Sequence, residues 1–240
     1  MKKLIFTIFM GVLSGLNIAN AQELQIVAQT GSKLTNLNQA QQDSLILAFP
    51  KFTAGTVIFE NMSQAKADLN YNYYNQQVLF LEKGEIKKMD NLKDVVMITV
   101  GKRIFIPVSP GLGEVLIDDE VCLIESRKIN VQEVKTGAYG SGGATASISN
   151  LQGVNGSNTS GSAYQHSFGT NASFFIDMRF FLMKDMKTYI ANKKNFLKCF
   201  SACSEFVEKY ITDHKPDYTD ASQMRTFVAL CNAQLKATKK

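Results

Sequence analysis

Between residues 52 and 118 apolar and polar positions alternate through a series of short segments. Residues 55–60, 67–73, 77–81, 95–100, 103–108 and 114–118 each carry β-branched or aromatic side chains at about every second position, the period with which a strand presents one face. The segments between them are too short for helical crossovers, so the sheet is expected to be antiparallel. Val100-Gly101-Lys102-Arg103 suits a two-residue hairpin whose first central position takes positive φ, a type II′ turn. Lys83-Gly84 and Asp118-Asp119-Glu120 are weaker turn signals. Pro107 has no amide proton, which implies an edge or a bulge at that point. The pattern predicts a meander of some seven to nine strands, closing as a small barrel or folding as a sandwich.

Residues 174–183 also alternate, with a helix as the alternative because Phe174, Met178 and Phe181 keep helical spacing too. The aromatic density favours a strand, turned by residues 184–187 into a short return at 188–190. Beyond Asn192, a plausible cap, the period changes. Residues 193–200 and 204–212 read as two short helices or one bent one, with Phe196, Phe200, Cys203, Val207 and Tyr210 on one side. Residues 213–217 break the pattern, and Thr219 or Asp220 caps a last helix carrying Met224, Phe227, Val228, Cys231 and Leu235 as its stripe. The fold class is therefore α+β: an antiparallel β-meander over 51–190 with a helical tail over 191–236 packed on the sheet.

Two stretches fall outside this pattern. Residues 22–50 are rich in Gln, Asn and Thr and read as a polar leader, although residues 24–27 could add an edge strand. No Asp, Glu, Lys or Arg lies between Lys135 and Asp177, and Gly, Ser, Ala, Thr and Asn dominate there. Such a composition buries little apolar surface to offset backbone entropy, so residues 140–171 are expected to form a long flexible loop.

At the start of the chain, Lys2 and Lys3 precede an apolar run from Leu4 to Leu16, and Ala19-Asn20-Ala21 supplies the small residues of a signal-peptidase site. Residues 1–21 read as a removed signal peptide, and no later stretch approaches the roughly 20 apolar residues of a spanning helix. The mature chain is expected in the periplasm or outside the cell, with no integral membrane segment.

Phe52-Thr-Ala-Gly55-Thr-Val57, Leu69-Asn-Tyr-Asn72, Gly101-Lys-Arg103-Ile-Phe105, Gly137-Ala-Tyr-Gly140 before a Ser/Thr-rich loop, and Lys194 to Leu197 follow one another along the chain. In this order the chain resembles a loosely defined group of exported bacterial proteins of unknown function, over most of its mature length. The resemblance implies the same architecture and an exported setting, and it implies no catalytic residues.

The 240 residues are 45% hydrophobic and 20% charged, with sixteen Phe, eight Tyr and no Trp, so Phe, Ile, Leu and Val must fill the core. Net charge is +5, or +3 once Lys2 and Lys3 leave (24 basic against 21 acidic residues). Spread over the whole chain that is too little to argue for nucleic acid or an anionic surface.

Few residues offer chemistry. Gly137-Ala-Tyr-Gly-Ser-Gly-Gly143 lacks the Lys that a phosphate-binding loop requires. The two histidines, His166 and His214, have no serine to activate in the usual way, because the sequence contains no Gly-x-Ser-x-Gly elbow. Cys199, Cys203, His214 and Cys231 could ligate zinc by residue type, but their spacing matches no recognised finger. Export favours disulfides instead, and a bridge from Cys231 to Cys199 or Cys203 is expected, with Cys122 free. Asp118-Asp119-Glu120 lacks the alternating ligands of a calcium loop. No catalytic residue, metal or cofactor is assigned.

What remains is a strand of amides and rings, Asn70, Tyr71, Asn72, Tyr73 and Tyr74, together with Tyr164 and His166 in the uncharged loop. Exposed, these groups would stack on and hydrogen-bond a sugar or a peptide. The expectation is an exported, non-enzymatic binding or assembly module whose partner is an envelope protein or a glycan. The alternative is a hydrolase of cell-wall or dietary polymers built on carboxylates scattered along the chain. N-terminal sequencing of protein recovered from the periplasm or the medium should read from Gln22, whereas an intact Met1 would refute the processing site.

Overall fold

The computed structural model describes residues 31–90, 92–109, 111–133, 168 and 172–239. The chain runs β1 (Lys33–Thr35), α1 (Gln39–Ile46), β2 (Thr53–Phe59), β3 (Gln64–Asn72), β4 (Gln77–Glu82), β5 (Glu85–Lys88), β6 (Val95–Val100), β7 (Arg103–Pro107), β8 (Leu112–Ile117) and β9 (Cys122–Glu133). It continues through β10 (Ala172–Lys184), β11 (Lys187–Ile190), α2 (Lys193–Cys199), a 3-10 turn (Ser201–Cys203), α3 (Ser204–His214) and α4 (Ala221–Thr238). The eleven strands form one antiparallel sheet in the order β1-β10-β9-β8-β7-β6-β2-β3-β4-β5, with β11 also on β10. The sheet is open: β5 is one edge, and β1 and β11 share the other.

Local turn chemistry sets much of the meander. Gly101 has φ +57 in the first central position between β6 and β7, as a II′ turn requires. Lys83 and Gly84 (φ +53 and +84) and Asp185 and Met186 (φ +51 and +59) are both left-handed, the geometry of type I′ hairpins. Pro107 closes β7 beyond Phe105, where the pairing with β6 has stopped, so its missing amide proton leaves no ladder bond unmade.

The sheet curls back on itself. Past Leu69, β3 leaves β2, and residues 46–48 take the vacated edge through Tyr73 N–H to Ile46 O (2.8 Å) and Ala48 N–H to Tyr71 O (2.9 Å). Past Ser126, β9 leaves β8, and Ile129 N–H donates to Tyr73 O at 3.1 Å. A strand five places away in the sheet order thus touches β9, and the enclosed face holds Leu69, Tyr71, Ile98, Val100, Phe105, Leu112, Phe174 and Ile176.

The stretch read as a polar leader is structured in its described part. Asn38 and Gln41 form a capping box at the start of α1, and Leu45 and Ile46 are buried in the core. A polar, Gln-rich helix with only two buried apolar side chains gives a weak hydrophobic period, which is why the sequence did not betray it. Strands β5 and most of β9 were also not foreseen. The loop read over 140–171 lies outside the described residues apart from Phe168, whose ring meets Tyr74 (5.3 Å) and Phe174 (5.5 Å) edge-on.

Strand β10 is the strand the aromatic density implied. Its even positions from Ala172 to Leu182 are all buried. Ala172 to Met178 pack in the curled core, while Phe180 and Leu182 belong to a second core with the helices. That second core stacks Phe196 on Phe227 (4.2 Å, 9°) and Phe227 on Tyr210 (4.4 Å, 10°). The helices are capped as expected, by Asn192 accepting from Asn195 N–H and Asp220 from Gln223 N–H. Helix α4 is fastened to the sheet by buried Asn232, whose Oδ1 accepts from Val121 N–H (3.1 Å) and whose Nδ2 donates to Val121 O (2.9 Å).

Replacing Asn232 by Ala strands both polar groups of a fully buried residue. Asn232→Ala should therefore cost roughly 2 to 5 kcal/mol in urea unfolding, and a loss below about 1 kcal/mol would show that the clamp does not hold the tail.

Candidate functional site

The amide and tyrosine strand is a structural element. Asn70, Tyr71, Asn72 and Tyr73 are 2–5% exposed, so they do not form the exposed face proposed for a ligand. Each is held by internal bonds. Asn70 grips the backbone of Phe49, accepting from its N–H (3.1 Å) and donating to its O (2.9 Å). Asn72 Oδ1 accepts from the N–H groups of Tyr74 (2.8 Å) and Asn75 (3.0 Å), shaping the turn into β4. Tyr71 OH accepts from Leu112 N–H (3.0 Å) and donates to Gln76 Oε1 (3.1 Å). Tyr74 is half-buried, and Tyr164 and His166 lie outside the described residues.

Around Tyr73 the curl is closed by charge. Arg103 makes a two-pronged pair with Glu114 (Nε to Oε1 2.8 Å, Nη2 to Oε2 2.6 Å), and donates to Ala48 O (2.6 Å) and Tyr73 OH (3.0 Å). Its guanidinium lies 4.6 Å from the Phe49 ring centre. Burial opposes the charge on Arg103, but Glu114 and Tyr73 outweigh it and keep the group protonated. Burial pushes the Tyr73 hydroxyl up, against the pull of Arg103 and Arg127. These perturbed groups are engaged by internal partners, which marks them as structural despite their shifts.

The other candidates separate in space. His214 is exposed at the end of α3, stacked on Tyr210 at 4.2 Å, while Cys199, Cys203 and Cys231 are buried. Among the described residues no group of three or more His, Cys, Asp or Glu could hold a metal ion. Asp119 accepts from Lys236 (2.7 Å) and Glu120 pairs with Lys239, so the acidic turn anchors the end of α4.

An open groove of about 710 Å³ lies against the curl. The turn residues Asn75 and Gln76 and the first residue of β4, Gln77, line one part of it. Lys88, Met89, Asp90, Leu92 and Lys93 come from the end of β5 and the segment beyond, and Pro107, Val108 and Ser109 from the end of β7. Its floor is rigid for a reason outside the groove. Gln76 Nε2 donates to Tyr73 O (2.7 Å) and to Arg127 O (3.0 Å) while its Oε1 accepts from Tyr71. Gly111, at φ +86, leaves the room this contact needs, since a Cβ there would sit 2.4 Å from Gln76 Oε1. Sequence reasoning came within a residue of this groove at Asn75, but the residues from β5 and β7 carried no signal of their own.

These features define an α+β protein with an open antiparallel meander sheet, a helical tail and a polar groove at the curl. Comparison with models of known protein families, with curated proteins and with solved structures finds no match.

The expected disulfide is not formed: all four cysteines are free and buried. Cys203 and Cys231 do meet, but Cys203 Sγ lies 3.9 Å from the Cys231 carbonyl oxygen, so it donates to backbone. Burial pushes all four thiols above their ordinary value of 9.0, with Cys203 adding to the effect at Cys231. A group raised in the folded state stabilises it fully below the unfolded pKa, and that contribution is lost as pH rises toward the folded value. Unfolding free energy should therefore fall once pH exceeds about 9. Native thiols should meanwhile react with a thiol reagent at the rate of unfolding, and rapid reaction of Cys231 in native protein would contradict the packing.

Proposed function

We propose that this chain is a non-enzymatic binding module of the cell envelope, exported by a signal peptide over residues 1–21 and taking a glycan in the groove beside the curl. The observation that carries this reading is the lining of that groove. It brings the amide of Gln77 and the hydroxyl of Ser109 beside the apolar surfaces of Met89, Leu92 and Pro107. Hydroxyl-rich rings with one apolar face suit such a mixture, and a floor held by Tyr71 and Gln76 spares the site part of its ordering cost.

The hydrolase alternative needs two carboxyl groups facing one bond. Among the described residues lining the groove, Asp90 is the one carboxylate. The groups with shifted ionisation beside the curl, Tyr71, Tyr73 and Arg103, are engaged inside the fold. This balance favours binding.

A screen of peptidoglycan fragments and other envelope glycans should show binding without turnover. Gln77→Ala and Ser109→Ala should each weaken it about five- to tenfold, the worth of one hydrogen bond, with thermal stability unchanged. Turnover abolished by Asp90→Asn would move the protein to the hydrolases, and tight binding of an envelope protein untouched by either substitution would place its partner elsewhere.

A further inference from the structure

The modest net charge of the whole chain conceals a concentrated one. Between Phe180 and Phe200 there are five lysines, Lys184, Lys187, Lys193, Lys194 and Lys198, against the single Asp185. Apart from Lys2 and Lys3, the rest of the chain carries nineteen basic and twenty acidic residues. The mature chain's whole positive excess therefore resides in this strip.

The fold gathers the strip at one end of the sheet. Hairpin β10–β11 and helix α2 are tied together by Lys184 Nζ to Cys199 O (2.6 Å), by Asn195 Nδ2 to Ile190 O (2.8 Å), and by Lys198 lying 4.3 Å over the Tyr189 ring. Elsewhere, lysines such as Lys87, Lys236 and Lys239 meet carboxylates. Among the described residues Lys187, Lys193, Lys194 and Lys198 enter no ion pair, and all four are exposed. Two of these, Lys193 and Lys194, stand in the first turn of α2, where the helix dipole disfavours cations. The same end also projects apolar side chains. Met186, at the hairpin tip, is 79% exposed and Ile190 49%, two of the four large hydrophobic residues that stand exposed among the described residues.

We propose that this end of the sheet docks on an anionic lipid membrane, with the lysines against headgroup phosphates and Met186 and Ile190 entering the interfacial layer. Charge complementarity selects an anionic surface, and the unburied methionine and isoleucine select a bilayer over a soluble polyanion, which offers no apolar layer to receive them. The attachment is peripheral, since no helix among the described residues is long and apolar enough to cross a membrane. This surface is separate in residues from the glycan groove apart from Thr188, which lies within the hairpin and also lines the groove. The docking does not depend on the glycan reading.

The test is co-sedimentation of the full mature chain with vesicles of equimolar phosphatidylglycerol and phosphatidylcholine, and with vesicles of phosphatidylcholine alone. Binding is expected to the first and not the second, and to fall steeply with salt. Each lysine at the surface is worth about fivefold in affinity, so Lys187→Ala, Lys193→Ala and Lys194→Ala combined should weaken binding about a hundredfold. Lys51→Ala, Lys66→Ala and Lys102→Ala combined remove the same charge from elsewhere and should leave binding within about threefold. Met186→Ser should weaken it several-fold with the charges intact. Equal losses in the two triple variants would overturn the proposal, as would polyphosphate binding as tightly as vesicles with no effect of Met186→Ser. Failure of vesicle binding with glycan binding retained would remove the docking surface alone.

Discussion

Twelve consecutive residues of β9 pair with β10, from Cys122 against Met183 to Glu133 against Ala172, and almost everything else in the protein is arranged around that ladder. Both strands outlast their neighbours. One end of the ladder receives the curl of the meander, and the other receives three helices and a 3-10 turn. Because side chains alternate across a strand, the even residues of β10 form one apolar stripe that has to be covered along its whole length. Each large side chain so buried is worth about 1.5 to 3 kcal/mol. Neither the curled sheet nor the helical tail could cover the stripe alone, so the two cores stand or fall with one strand.

Polar groups then fix the geometry that apolar burial leaves loose. Asn70 and Asn232 play the same part at opposite ends of the fold: each presents a side-chain amide to one backbone unit outside its own element, Phe49 in one case and Val121 in the other. A buried amide that satisfies a peptide group in both directions substitutes for a missing strand neighbour. Arg103 closes the curl more widely, joining β7 to Glu114 of β8, Tyr73 beyond β3 and Ala48 after α1. Such a half-buried, fully hydrogen-bonded ion pair specifies an arrangement more than it adds net stability. Shifted ionisation at Tyr73 and Arg103 here reports architecture, and the groove draws only its floor from it.

Function, on this reading, is divided between two surfaces of different physics. The groove relies on directional amides over a floor fixed by Tyr71 and Gln76, which suits a ligand with many hydroxyl groups. The lysine-rich end relies on unpaired charge and two exposed apolar side chains, which suits an extended anionic layer. A chain held near a membrane by its edge while its curl meets a glycan would work within the envelope, the setting proposed for it above.

The sequence by itself determined what depends on near neighbours. Alternation marked six of the meander strands and β10, Gly101 marked its turn, Asn192 and Asp220 marked their helices, and the α+β order followed. These signals are local because a strand's period, a turn's φ and a helix cap are settled within a few residues. Tertiary structure decided the rest. Asn70 to Tyr73 look the same in sequence whether they face solvent or a core, and only the return of β3 onto β9 buried them. Cys203 and Cys231 come close, but the direction of one Sγ bond decides between a bridge and a hydrogen bond. The short helix α1 owes its burial to the edge that β2 vacates. Whole-chain charge told nothing of the lysine strip, because averaging along the chain erases what folding gathers on one surface.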